Sequence, residues 1–123
     1  MPTKILIADD EEHLGYLVKF KLEKEGFDVI WKKNGRQALE AVREERPDLV
    51  ILDVMMPGLT GFEVLEAIKA DPELKDTPVI MLTASGQEAD TVKGIDMGAA
   101  DYIVKPFRPA ELVARIRRCL PVG

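Results

Sequence analysis

Five short apolar runs divide the chain: ILIA at 5–8, VIW at 29–31, LVIL at 49–52, VIML at 79–82 and YIV at 102–104. Most are continuous rather than alternating, which is how strands read when both faces are covered by helices in a parallel sheet. Between them, polar stretches carry apolar residues at helical spacing. Leu14, Leu17, Val18 and Leu22 form a first stripe; Ala38, Leu39 and Val42 a second; Phe62, Leu65 and Ile68 a third. Val92, Ile95 and Ala99 form a weaker fourth, and Leu112, Val113, Ile116 and Leu120 a fifth. A strand followed by a helix, five times over, predicts an α/β sandwich with right-handed crossovers.

The punctuation agrees. Gly26 and Gly98 each follow a helical stretch, where a left-handed cap is wanted. Thr60 and Glu63 make a capping box that opens the third helix. Asn34-Gly35 would ordinarily signal a hairpin, but residues 36–42 have helical period, so it reads as a helix start. Pro78 precedes the fourth run. Gly15 sits inside the first helix, where it costs about 1 kcal/mol against Ala, and the sequence offers no reason for it.

Length and composition narrow the picture. The 123 residues suit one domain, so residues 1–123 are expected to form a single unit, with nothing after Leu120 that reads as the start of an output domain. Hydrophobic residues at 46% and charged residues at 32% are the mix of a globular chain able to bury its own core. No run approaches a membrane span and the N-terminus has no secretory pattern. One cysteine, Cys119, excludes a disulfide framework and fits a reducing, cytoplasmic setting. A net charge of -5 argues against direct nucleic-acid binding by this chain.

Ligands of open parallel sheets bind beyond the carboxyl ends of the strands. Asp9 and Asp10 follow the first run, Asp53 ends the third, Thr83 the fourth and Lys105 the fifth. Each has an ordinary reading alone: acid at a helix start, a turn aspartate, a β-branched strand end, a solvated lysine. Their convergence from four strand ends at one edge is what points to chemistry. Three carboxylates against one ammonium leave two negative charges in excess. Crowded carboxylates need a cation, and an oxygen-preferring Mg²⁺ that serves phosphate chemistry fits. The only histidine, His13, lies in the first helix and reads as a helix-surface residue rather than a base; Lys32 and Lys33 receive no role. Asp53, central among the strand ends, is the candidate nucleophile for an aspartyl phosphate.

The segments KILIADDE at 4–11, NGRQALEAV at 34–42, PDLVILDVMMPGLTGFEVL at 47–65, PVIMLTA at 78–84 and GAADYIVKPF at 98–107 together resemble the receiver domain of bacterial two-component response regulators, over essentially the whole chain. The resemblance implies a (βα)5 flavodoxin-like three-layer sandwich whose parallel strands run in the order 2-1-3-4-5. It implies that Asp53 accepts phosphate from the phosphohistidine of a sensor histidine kinase or phosphotransfer protein. Asp10 would ligate Mg²⁺ directly, Asp9 directly or through water, with Asp53 and the Met55 carbonyl completing the protein ligands. Lys105 would pair with the phosphoryl group, ahead of a cis bond to Pro106. Thr83 and Tyr102 would form the switch, Thr83 bonding the phosphoryl group and Tyr102 turning inward; the ordinary alternative for Tyr102 is a fixed strand aromatic. The switched face would be the fourth helix, fifth strand and fifth helix. There Lys93, Asp96, Asp101, Glu111, Arg115 and Arg117 look like the dimer face of winged-helix transcription regulators, or equally like a solvated mixed-charge surface. The chain would then be a phosphoacceptor switch, with possible phosphorylation-dependent homodimers, rather than an enzyme acting on free substrates.

Some positions depart from the family pattern. Ala100 stands where an aspartate is frequent, and Arg108 where a capping residue often precedes Pro109. Met55 and Ser85 flank the expected path of hydrolytic water and neither can act as a base, which predicts slow self-dephosphorylation. Three other readings compete. An aspartyl-nucleophile phosphatase of the haloacid-dehalogenase type would need an acid where Met55 stands. An FMN binder would need a phosphate loop where Asp9 and Asp10 repel phosphate. A pseudo-receiver that only binds partners would not need the complete Asp, Thr and Lys set.

Overall fold

The structure is a computed structural model that describes residues 2–84, 92–93 and 95–120. Strands β1 (Lys4–Ala8), β2 (Asp28–Lys32), β3 (Leu49–Asp53), β4 (Val79–Ala84) and β5 (Asp101–Lys105) form one sheet in the order β2-β1-β3-β4-β5. All four pairings are parallel, with Ala8 opposite Lys32 and Leu52, Asp53 opposite Leu82, and Thr83 opposite Val104. Helices α1 (Glu12–Lys24), α2 (Gly35–Glu45), α3 (Gly61–Ala70) and α4 (Pro109–Cys119) are complete among the described residues. Residues 92–93 and 95–96 also have helical backbone, so the fourth of the five expected helices lies only partly within them.

The continuous apolar runs are buried on both sides because alternate residues serve different layers. Leu6, Ala8, Val50, Leu52, Val79 and Met81 pack with α2 and α3 on one face. Ile5, Ile7, Leu49, Ile51, Ile80 and Leu82 pack with α1 and α4 on the other. Chain direction reverses its march across the sheet at β1, which leaves a crevice at the carboxyl ends of β1 and β3.

Local signals behave as their chemistry requires. Asn34 caps α2 by accepting from the Gln37 amide at 2.9 Å, and Thr60 with Glu63 closes a capping box on α3. Gly26 and Gly98 take positive φ, 94° and 98°. The end of α2 carries no such glycine, and Arg46 itself adopts φ 47°.

Four apolar positions differ from the periodicity. Leu17 is exposed and Gly15 takes the buried place on α1, because the indole of Trp31 fills the space beneath the helix where a Cβ on Gly15 would overlap it. Val92 and Ile95, at 54% and 59% exposure, do not face the core, whereas Met97 and Ala99 pack against it. Val104 is exposed on the edge strand β5.

Candidate functional site

Parallel strands end at one edge of a sheet, so the groups that follow them meet there. Oxygens of Asp9, Asp10 and Asp53 all lie within 4.8 Å of one another. Asp9 is fully buried, Asp53 nearly so, and Asp10 exposed.

Asp9 is held from every side. Its amide donates to the Lys32 carbonyl at 3.1 Å, which extends the β1–β2 ladder by one bond. Its carbonyl accepts from the Trp31 indole at 3.0 Å. Its Oδ1 accepts from the Glu11 amide at 2.9 Å. Its Oδ2 is buried with no hydrogen bond among the described residues, and Lys105 Nζ stands 3.3 Å away as counter-charge.

Asp53 closes β3. The Met55 amide donates to its Oδ1 at 3.1 Å and Lys105 Nζ to its Oδ2 at 2.7 Å. Gly61 lets α3 begin against this strand end: a Cβ there would overlap the Asp53 carbonyl, and the Gly61 amide donates to Val54 at 3.0 Å. Burial pushes the Asp53 carboxyl up to about 6, with the Asp9 charge adding to it and the bonds from Lys105 and Met55 opposing. Burial pulls the Lys105 ammonium down, but its bond to Asp53 and the charges of Asp53 and Asp9 outweigh that, so its pKa lies above the usual lysine value. Lys105 reaches Glu11 as well, at 4.0 Å. The bond from Lys105 to Pro106 is cis.

Thr83 is buried at the end of β4, its hydroxyl donating to the Ala84 carbonyl at a long 3.4 Å. Tyr102 is buried in the core layer shared with Val54 and Phe62, already in an inward position. Met55 is 73% exposed at the mouth of the site. Ser85 lies outside the described residues.

The six charges expected on the distal face are not brought to the site. Arg115 bonds Asp101 at 2.9 and 3.1 Å and Glu111 at 3.5 Å. Arg117 bonds Glu25 at 3.0 Å, across to the end of α1. Lys93 stands over the Phe62 ring at 4.6 Å, and Asp96 is exposed.

Three contributors escape a reading of the sequence by strand ends. Glu11 and Phe107 join Leu14, Ala84, Lys105 and Pro106 around a cleft of about 370 Å³ beside the acid cluster. Trp31 reads as strand filler, yet its ring edge braces Asp9. The unexplained Gly15 was the available signal, since a glycine inside a helix often marks close packing by a large neighbour.

The donor set fits a hard divalent cation. It consists of carboxylate oxygens, it is more negative than one lysine can balance, and it contains the buried Asp9 Oδ2 without a hydrogen bond.

Residues 5–117 match the family described as Response regulator receiver domain. The DNA-binding response regulator MtrA of Mycolicibacterium paratuberculosis is 48% identical over 117 residues, covering 95% of this chain and 51% of that protein. The chain thus spans about half the length of the curated relatives it matches. Among solved structures, the chemotaxis response regulator CheY4 of Vibrio cholerae superposes with a TM-score of 0.91 at 34% identity, over 98% of this chain and 100% of that one. The receiver domain of the Francisella response regulator 1452 superposes with 0.88 at 32% identity, over 95% of each.

Proposed function

Because the chain belongs to the response regulator receiver domain family of two-component systems, we propose that Asp53 is its phosphoacceptor and that Asp9, Asp10, Asp53 and the Met55 carbonyl hold Mg²⁺. The observation that carries this reading is the meeting of three carboxylates within 4.8 Å with Lys105 Nζ 2.7 Å from Asp53. Bound Mg²⁺ supplies the positive charge that offsets the excess acid and the charge on phosphoryl oxygens.

The chain's own groups do the rest by position. An Asp53 carboxylate oxygen attacks phosphorus in the donor. The new O–P bond replaces the P–N bond to the donor histidine, whose imidazole keeps the electron pair and is reprotonated from solvent. Lys105 transfers its hydrogen bond from Asp53 to a phosphoryl oxygen. Thr83 exchanges its weak bond to Ala84 for a bond to another, and Tyr102 responds as its switch partner. The cleft lined by Glu11, Leu14 and Phe107 admits the donor beside Lys105. Met55 and Ser85 offer no base for hydrolysis, so the acyl phosphate persists.

The donor on this reading is a sensor histidine kinase or phosphotransfer protein, in the cytoplasm, and residues 1–123 act as one receiver domain. No helix among the described residues is long and apolar enough to cross a membrane. Phosphorylation is read out on β5, α4 and the partly described helix before them, where the Arg115 pairs with Asp101 and Glu111 are available for exchange in a homodimer. The MtrA relatives are named as DNA-binding and this chain spans about half of their length; on this reading the chain itself does not bind nucleic acid directly.

Acetyl phosphate with Mg²⁺ tests the reading. One stable phosphate per chain, lost in Asp53→Ala, is expected. Continuous phosphate release would indicate a phosphatase, no label a pseudo-receiver, and a label persisting in Asp53→Ala a different acceptor. A phosphoryl lifetime of seconds would contradict the roles of Met55 and Ser85.

A further inference from the structure

From the contact between an indole edge and the backbone of the acid cluster, we infer that Trp31 is a positioning residue for divalent-cation binding. The inference rests on the reading that Asp9 helps hold Mg²⁺. Strand β2 ends at Lys32, and Asn34 turns away to cap α2. Backbone bonding from β2 therefore reaches the Asp9 amide, at 3.1 Å from the Lys32 carbonyl, and goes no further. The Asp9 carbonyl is satisfied instead by Trp31 Nε1 at 3.0 Å. With the amide and the carbonyl both tied to β2, the Asp9 peptide has little rotational freedom. Its carboxylate is held against the Glu11 amide and toward Lys105 rather than free to relax away from two neighbouring carboxylates.

The indole can take this place only because Gly15 has no side chain. A Cβ there would overlap Cε2, Cζ2 and Nε1 of Trp31. The helix propensity given up at that glycine is the counterpart of the brace. Partners that orient a metal ligand typically change metal affinity by about 10–100-fold when removed. The Trp31 bond reaches the ligand's backbone rather than its carboxylate, which places the effect near the lower end, about tenfold.

Calorimetric Mg²⁺ titration of the chain, stripped of metal with EDTA, is the test. Trp31→Phe keeps an aromatic ring beneath α1 and deletes the N–H; an affinity loss of about tenfold is expected. Gly15→Ala should weaken binding in the wild-type background by displacing the indole, and should add nothing in the Trp31→Phe background, where the smaller ring leaves room. A merely structural role would lower the metal-free melting temperature and leave the Mg²⁺ dissociation constant within about twofold of wild type, which would overturn the inference. If Trp31→Phe does not fold, the wild-type protein still decides. Trp31 is the only tryptophan, so its single indole N–H resonance should shift during Mg²⁺ titration with the calorimetric midpoint, and a resonance that stays still would overturn the inference. A wild-type chain that binds no Mg²⁺ would overturn both this inference and the proposed function; unchanged binding in Trp31→Phe would overturn only this one.

Discussion

On the proposed reading Asp53 must be ionised to attack phosphorus, yet the fold that positions it also removes it from water. Burial is the main reason its pKa stands at about 6 rather than 3.8. At limiting Mg²⁺, labelling by acetyl phosphate should therefore rise roughly tenfold between pH 5 and pH 7 and level off above, as the ionised fraction does. A flat profile would show that the carboxyl titrates elsewhere. The same elevation has a stability consequence in EDTA. The folded pKa lies above the unfolded one, so the stabilisation from protonated Asp53 is fully present below about pH 4 and is lost as pH rises through about 6. Asp53→Asn should melt several degrees above wild type at pH 7 to 8 and lose that advantage near pH 4. At Gly61 the constraint is steric. Gly61→Ala drives a methyl into the Asp53 carbonyl and should cost about 1–3 kcal/mol in urea unfolding, with slower labelling because the strand end must move.

Elements are placed by their ends as much as by their faces. α3 starts immediately beyond the site and is fixed there by two reciprocal bonds, Glu63 N–H to Thr60 Oγ1 at 3.2 Å and Thr60 N–H to Glu63 Oε1 at 3.0 Å. Thr60→Ala should cost about 1 kcal/mol. α4 shows the opposite case. Its N-cap is Arg108, whose side chain makes no capping bond and whose positive charge belongs to a residue at the positive end of the helix dipole. Arg108→Asp should add about 1 kcal/mol to stability, from a new cap and a reversed charge. Chemical denaturation of the two variants beside wild type checks both signs in one experiment.

For the whole molecule, the sheet is a rigid frame and the acid edge is its charged seam. A cation that binds only the folded chain raises stability by mass action, by about 2.7 kcal/mol at a hundredfold excess over its dissociation constant. For a domain of this size that is roughly 10 °C in melting temperature. Mg²⁺ should produce a saturable upward shift of that order, and Asp10→Asn should remove most of it. The distal face answers at the same scale. Asp101, Glu111 and Arg115 satisfy one another within the chain, so a homodimer must exchange pairs rather than neutralise free charges. Sedimentation with beryllofluoride and Mg²⁺ should show dimers that Arg115→Ala weakens; monomers at high concentration in both proteins would remove this face from the output.

Periodicity determined the five strands and the four helices that are complete among the described residues, because runs such as ILIA and LVIL can satisfy two helical layers only from within a parallel sheet. The strand-end rule then brought Asp9, Asp10, Asp53, Thr83 and Lys105 to one edge, since parallel topology delivers every carboxyl end to the same side. The strand order came with the family resemblance, as periodicity is blind to which strands adjoin. Only the tertiary structure decided that Gly15, rather than Leu17, faces inward, that Val92 and Ile95 stand outside the core, and that Trp31 braces Asp9. Those outcomes depend on which residues far apart in the chain share a volume. Helical spacing ranks the faces of one helix, but it carries no record of the indole that arrives from a neighbouring strand.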